Sequence, residues 1–565
     1  MRKLILFLLF VQSAFGLIIP ADRTIDWTPG VYVGVIGGIP ARPTIGKNAV
    51  TDYGADPTGV SDSKAAIQSA LDNTTSGKYA YIPAGTYRVI GTISILNASG
   101  KTLRGAGMGL TTLKFESDGA SGSLLMSGDF PDHTPTITVT SGATKGSTNL
   151  VCDITTGTAV GRLLTVSDTN RSWVQYDSGL YGAGPTDDGH DATRLLNSTH
   201  QIKAISGTTI TIWPPLPFDF TNAPKVTPWT LYMTGFGVED LTFDQTNSSA
   251  VAAVYFSQTY NCWMKGVEVR NTGSRQVWMK KCCNNEIREC YFRDTEGTGP
   301  NHEGIDLVNN ACFNLIEDNV CISAGKPAVM IGDWGGGCNG NVISYNYFIA
   351  QPTNSGGLET SISANHGPHS LMNLAEGNIG QAIKSDGYYG STSHLTSFRN
   401  YWSGNYHSGY DWRLCVQLAK WSYYCNFVGN VLGTSGIGQH YTSTNSSYSQ
   451  LTNLIWQIGF PATGHSSYYL TYNGTADNPG NTNLQMFDMA VDSSLIRHGN
   501  YDYVTNTTVW DGGIADTNIP NSLYLTEKPS WWGGNPWPPI GPDLTPKVAT
   551  VPAYDRHIWN LKIIE

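Results

Sequence analysis

Five carboxylates, Asp306, Asp333, Glu359, Asp386 and Asp411, recur at separations of 27, 26, 27 and 25 residues. A near-constant interval of that length is what a stacked coil delivers: one residue per coil, brought together at about 4.8 Å per rung. Paired carboxyls are the tools of glycoside hydrolysis. Adjacent rungs approach the roughly 5 Å of a retaining pair, and rungs two apart, at roughly 9.6 Å, come close to the inverting range of about 6.5–9.5 Å. Asp386, in KSDGYYG, is the first candidate for acid or base, with Glu359 or Asp333 opposite it and Asp306 beyond. The segments ETSISANHGPH (359–369) and YGSTSHLTSFRN (389–400) add His366, His369 and His394 near Glu376, Asp386 and Arg399, three of the 12 histidines in the chain. An imidazole beside a carboxylate moves protons near neutral pH. The competing reading is scaffold: Asp and His are also turn residues, and matching GIDLVNN (304–310) to AVMIGDW (328–334) by strand pattern sets Met330, not Asp333, opposite Asp306.

Sugar rings present an apolar face that aromatic side chains cover well. Trp334, Tyr388, Tyr389, Trp402, Tyr406, Tyr410 and Trp412 flank the acids, and Arg399 and Arg413 supply cations for a substrate. Trp531, Trp532 and Trp537 in SWWGGNPWPP (530–539) read as cap packing ahead of substrate platforms. No two ligands sit at the spacing of a short metal motif, so no metal is expected from the residues.

Stacking requires repeats. VEVRN, IREC, IEDN, ISYN, AEGN, FRN and FVGN close short strand-like runs at positions 271, 290, 319, 346, 378, 400 and 430, spaced by 19 to 32 residues. Helical repeats with fixed turns do not vary so much; a right-handed parallel β-helix, an all-β solenoid with loops of variable length, does. Asn tolerates a left-handed turn, and its amide can bond the Asn one rung away. Cys283, Cys312 and Cys338 suggest a second column, either stacked thiols or one cross-rung disulfide. In SDSKAAIQSALDN, Ser61 or Asp62 caps a helix over 61–72 whose Ala66, Ile67, Ala70 and Leu71 share a face that closes the open end of the stack.

Composition agrees. Only 14% of the 565 residues are charged, 63 are glycine and 11% are aromatic, which suits a turn-rich β protein and excludes disorder and coiled coil. A formal net charge of -10, with no run of Lys and Arg, leaves no footprint for nucleic acid. Arg2 and Lys3 precede an apolar run from Leu4 to Val11 and the small residues Ala14 and Gly16. This is the pattern of a signal peptide cleaved after Gly16, too short to span a membrane. A secreted protein, extracellular or periplasmic, with no membrane attachment after cleavage, is expected.

DYGADPTGVSDSKAAIQSAL (52–71), YIPAGTYRV (81–89) and KTLRGAG (101–107) together resemble the opening of the pectate-lyase superfamily of β-helix proteins, which includes polygalacturonase-like and rhamnogalacturonase-like enzymes, glucanases and phage tailspikes. The resemblance covers 49 to about 128 and, through the coil pattern, about 229 to 435. It implies a lateral groove and a polysaccharide partner. Polygalacturonases carry an Asn-Thr-Asp, Asp-Asp, His-Gly, Arg-Ile-Lys series. HEGID (302–306) and NHG (365–367) echo it, the Asp-Asp pair between them is missing, and no Arg-Ile-Lys follows. A pectate-type lyase would instead need calcium on carboxylates and a basic residue, for which Asp306 and Asp333 with Lys384 or Arg413 are the candidates. The chain divides into a signal peptide (1–16), an N-terminal extension (17–48), a cap with first coils (49–128), an inserted β-rich subdomain (129–228), central coils with the groove (229–440), and irregular coils with a C-terminal cap (441–565). Three functions follow: a polysaccharide hydrolase without cofactor, a lyase with calcium, or a glycan-binding adhesin without turnover. Oligomeric state is not readable.

Overall fold

The structure, a computed structural model, describes residues 18–564 except 97–98, 117–120, 128–136, 177–192, 230–232, 296–301, 334–335, 350–359, 388, 406–412, 438–439, 443–453, 461–469, 473–474 and 478–487. The 1–16 segment therefore lies outside the described residues, as do Glu359, Asp411, Trp334, Tyr388, Tyr406, Tyr410 and Trp412.

Three long sheets of 11, 12 and 13 strands run the length of a parallel β-helix. The front sheet extends from Ile93–Leu96 to His440–Thr442, the back sheet from Ile45–Asn48 to Ile496–His498, and the side sheet from Thr58–Asp62 to Thr507–Val509. Inward positions stack apolar side chains, as where Phe115 lies over Phe243 with ring centroids 5.6 Å apart.

Asparagines hold the coil corner between back and side sheets. Asn319 Nδ2 donates to Asn346 Oδ1, Asn346 to Asn378, Asn378 to Asn400, Asn400 to Asn430 and Asn430 to Asn500, at 2.8–3.2 Å. The Cys290 backbone N–H donates to Asn319 Oδ1, and the cysteine ends the ladder because its side chain carries no amide to continue it. The left-handed residue is the one before each ladder position: Glu289 before Cys290, and Asp318, Tyr345, Gly377, Arg399, Gly429 and Gly499 before the asparagines, all with φ between 48° and 68°. The ladder asparagine is thus a bonding residue, while the preceding residue makes the turn and aims its side chain outward. A second ladder, Asn285–Asn314–Asn341–Asn373, holds the corner entering the back sheet. Its preceding residues Asn284, Phe313, Gly340 and Met372 are left-handed too, and so, on the next two coils, are His394 and Tyr424. All ten cysteines are buried free thiols. Cys283 and Cys312 bridge across adjacent coils, but Cys338 falls in the inner core with Cys282, so the expected three-member column ends at two.

The capping helix α1 spans Lys64–Asn73 with Ser63 as its N-cap residue and Ile67, Ala70 and Leu71 buried. It starts later than the sequence suggests because Thr58–Asp62 pairs as a strand. Six strands, from Ile137–Ser141 to Lys225–Pro228, close into a barrel with its own core, including Leu150, Val166, Ile202 and Ile212. A C-terminal segment straps the back sheet: Tyr524 Oη donates to Glu317 at 2.7 Å, and Arg399 donates to the carbonyls of Ile519, Pro520 and Ile540 and to Asp543. Trp532, 1% exposed, packs edge-on against Tyr345. Among the described residues no helix is long and apolar enough to cross a membrane.

Candidate active site

The front sheet presents one outward column in unbroken register: Tyr255, Trp278, Asp306, Met330, Ser363, Lys384, Gln417 and Gln457. Met330 is the partner of Asp306, so the five acids do not form one column. Asp333 enters from the neighbouring column, opposite Val308, because a bulge adds one residue at Gly332. Gly332 has φ +79°, and a Cβ there would lie 2.4 Å from Ser370 Oγ, so the bulge requires glycine.

Arg275 opens the preceding strand, Arg275–Lys280, and is buried. Its Nε lies 2.5 Å from Asp306 Oδ2 and 3.3 Å from Glu303 Oε2, and its Nη2 3.2 Å from Asp333 Oδ2. The three carboxyls offer oxygens within 4.8 Å of one another. Three buried acids around one guanidinium ionise together only against excess charge in a poor dielectric, which biases the group toward its protonated forms. Burial and the neighbouring Asp333 push Asp306 well above the carboxylate range, against the pull of Arg275. Burial also raises Asp333, opposed by His366 and Arg275. Burial opposes the charge on Arg275, yet the acids outweigh it.

The solvent edge of the site is His366, Asp386 and Lys384, with side chains 23%, 17% and 17% exposed. His366 Nδ1 donates to Asp386 Oδ2 at 2.7 Å, and Lys384 Nζ is 3.7 Å from the same oxygen. Burial disfavours the imidazolium, but Asp386 and then Asp333 outweigh it, and the His366 pKa is raised. Tyr389 meets His366 edge-on at 4.7 Å. Asp333 thus lies between the Arg275 and His366 cations, a buried protonatable acid beside an open His–Asp pair.

The barrel buttresses this edge. Gly390 bridges Tyr176, Ser391 N donates to Gln175 O at 2.9 Å, and Gln175 N donates to Ser391 Oγ at 2.7 Å. The loop carrying Asp386 and Tyr389 is therefore pinned by residues that follow a barrel strand.

Several expected site residues lie elsewhere. His369, fully buried, is hydrogen-bonded to Ser391 and Ser393 at 2.8 Å each and packs against Trp173. His394 is the left-handed residue of a ladder turn, stacked on Tyr424 and against Phe218 of the barrel. Burial holds both imidazoles down at about 3. Trp402 is in the inner core because its position alternates inward. Arg399, the left-handed residue before Asn400, is clamped to Asp543 under the strap. Arg413 donates to Ile437 O at 2.5 Å. Arg275, Glu303, Trp278 and Tyr255 belong to the site and were not singled out. The alternation in RQVWMK, with Val277 and Met279 inward, was the available signal for Trp278, whereas Arg275 shares the parity of the inward residues.

HEGID, IGDW, NHG and IKS fall on four successive coils of the front sheet. Residues 48–176 match the family described as Rhamnogalacturonase A/epimerase, pectate lyase-like. The chain is a parallel β-helix whose residues 48–176 are pectate-lyase-like. Tailspike gp49 from Pseudomonas phage LKA1 is similar over 69% of this chain and 64% of that one, at 13% identity and TM-score 0.46. The Gp54 tailspike of Acinetobacter baumannii bacteriophage AP22, in complex with A. baumannii capsular saccharide, gives 68%, 57%, 13% and 0.46. The catalytic unit of a GH87 alpha-1,3-glucanase from Streptomyces thermodiastaticus strain HF3-3 gives 79%, 72%, 12% and 0.35. This β-helix spans less than two thirds of the length of either tailspike, and these similarities bear on the fold alone. No curated protein matches in sequence.

Proposed function

We propose that the protein is a secreted glycoside hydrolase acting on a polysaccharide. The observation that carries this reading is Asp333, a buried acid whose pKa burial raises, set between Arg275 and the His366–Asp386 pair. In a glycosidase one carboxyl protonates the leaving oxygen while a second carboxylate serves as nucleophile or activates water. Asp333, its pKa raised by burial, is the candidate proton donor, and Asp386, beside His366 and Lys384 at the solvent edge, is the group that an incoming water or sugar reaches. His366 orients Asp386 through the 2.7 Å bond and offsets charge as it develops. A calcium-assisted lyase is less well served: Glu303, Asp306 and Asp333 have the oxygen donors a hard cation wants, but the guanidinium lies among them. The acids beside His366 also bias it toward its charged form, which has no lone pair for a base.

A panel of soluble polysaccharides, neutral and uronate-containing, tests the reading. New reducing ends, released equally with and without chelator and lost in Asp333→Asn, support a hydrolase. Absorbance from an unsaturated uronate would replace it with a lyase, and retention of a glycan without product would replace it with an adhesin.

A further inference from the structure

We propose that Arg275 is a built-in cation, its guanidinium filling the place of a divalent metal among Glu303, Asp306 and Asp333, so that removing the arginine uncovers a metal site. The inference rests on the acid cluster described above and deepens its reading as an acid–base centre. Three observations carry it. The three acids converge to within 4.8 Å, the oxygen-only donor set that calcium or a lanthanide binds. Asp306 is 0% exposed and its Oδ1 has no hydrogen-bond partner among the described residues; Glu303 Oε2 is likewise unbonded, although in ion-pair range of Arg275. The acid oxygens thus retain donor capacity that one guanidinium does not exhaust. Third, the arginine is built in rather than swung in: its guanidinium lies 4.9 Å from the Trp278 ring centroid, and Trp278 stacks on Tyr255 at 4.6 Å and 17°. Arg275 is therefore a positioning residue, holding Asp306 and Asp333 in place and fixing the charge that divides the proton among them.

Trp278 provides the readout, since an indole within a few ångströms of a bound terbium ion sensitises its emission. Terbium is titrated into the full chain, with calcium competing. Wild type and Arg275→Lys, which keep a cation in place, are expected to give no saturable emission that Asp306→Asn abolishes, and their unfolding temperature is expected to be unchanged by chelator. Arg275→Ala is expected to gain saturable, calcium-displaceable emission that falls in Arg275→Ala/Asp306→Asn and in Arg275→Ala/Trp278→Phe. If Arg275→Ala is unstable, refolding in calcium against refolding in chelator reads the same point, with native circular dichroism expected in calcium alone. Emission from wild type that Asp306→Asn removes would overturn the proposal. So would a folded Arg275→Ala without emission, or one that fails to fold under both conditions. No arm needs turnover, so a hydrolase assignment can fail while this one stands, and the reverse.

Discussion

Only two residues separate His366 from His369, yet the two imidazoles live in opposite electrostatic worlds. His366 sits at the solvent edge against two carboxylates and is pulled toward the charged form. His369, with His394 beside it, is sealed between the helix and the barrel, bonded to serine hydroxyls and faced by Trp173, and burial pushes it to about 3. Desolvation is large at both sites, and what differs is the partner. A carboxylate within hydrogen-bond reach reverses the sign of the shift, whereas hydroxyls and rings leave burial unopposed. Histidine near acids in sequence is therefore no guide to chemistry until the register decides which acids it faces.

The largest effect expected from this contrast is on turnover. Asp386→Asn removes the carboxylate that His366 holds, and loss of a positioned proton-transfer group costs on the order of a hundredfold or more in rate. Thermal unfolding should move little, since the side chain is partly exposed and Asn keeps its shape. In the wild type, activity should persist while His366 is charged and fall on the alkaline side, at a pH above the ordinary imidazole value of about 6.5, because its pKa is raised. A pH–rate profile on the substrate the panel identifies checks both points, and an alkaline limb untouched in His366→Gln would remove His366 from the mechanism.

His369→Leu, by contrast, should act on stability. It strips partners from the Ser391 and Ser393 hydroxyls, a loss of about 1–3 kcal/mol, and should leave turnover of the folded fraction largely intact. Chemical denaturation together with specific activity separates the two.

The pH dependence of stability should carry two slopes of opposite sign. For His369 and His394 the folded pKa of about 3 lies below the unfolded value. Unfolding thus gains protons between about pH 6.5 and 3, and stability present above that window is lost as pH falls through it. Under the strap the sense reverses. Burial raises Glu317 and Glu376 to about 7, so their contribution is full below the unfolded carboxyl range and is lost as pH rises through about 7. Unfolding temperature measured from pH 3 to 9 should therefore pass through a maximum, and Glu317→Gln should flatten the alkaline side alone. A monotonic rise toward alkaline pH would show that the strap carboxyls are ionised at neutral pH.

The solenoid was legible because its rules are local: an asparagine at each corner and an apolar inward face show in one coil's sequence. The site was legible only in part. Asp306, Asp333, His366 and Asp386 do converge, but their near-constant spacing is not a register. A bulge at Gly332 brings Asp333 to Arg275, and that depends on backbone geometry, not on residue count. His394 and Arg399 misled because the left-handed residue before a ladder position points its side chain outward, where polar types are favoured for the turn and for the covering segment. Arg275 escaped notice because it shares the parity of inward Val277 and Met279, and a charged residue there makes sense only once three acids from the next coils surround it.

The smallest expected effect bears on whether the two histidine regions are separate at all. Ser391 links them: its hydroxyl is bonded to His369 Nδ1 and accepts from Gln175 N, and it lies five residues beyond Asp386 on the loop the barrel pins. If the regions are independent, Ser391→Ala should cost about 1 kcal/mol of stability, the net worth of ordinary buried hydrogen bonds, and lower kcat by well under tenfold, since the Tyr176–Gly390 bridge and the Ser391 N to Gln175 O bond both survive. Sub-ångström displacement of Asp386 is all such a change can transmit, and that is a small fraction of what deleting its carboxylate does. A kcat loss as large as that of Asp386→Asn, with the unfolding temperature nearly unchanged, would mean that the buried histidine cluster steers the catalytic loop, and the division between chemistry and scaffold would have to be redrawn around Ser391.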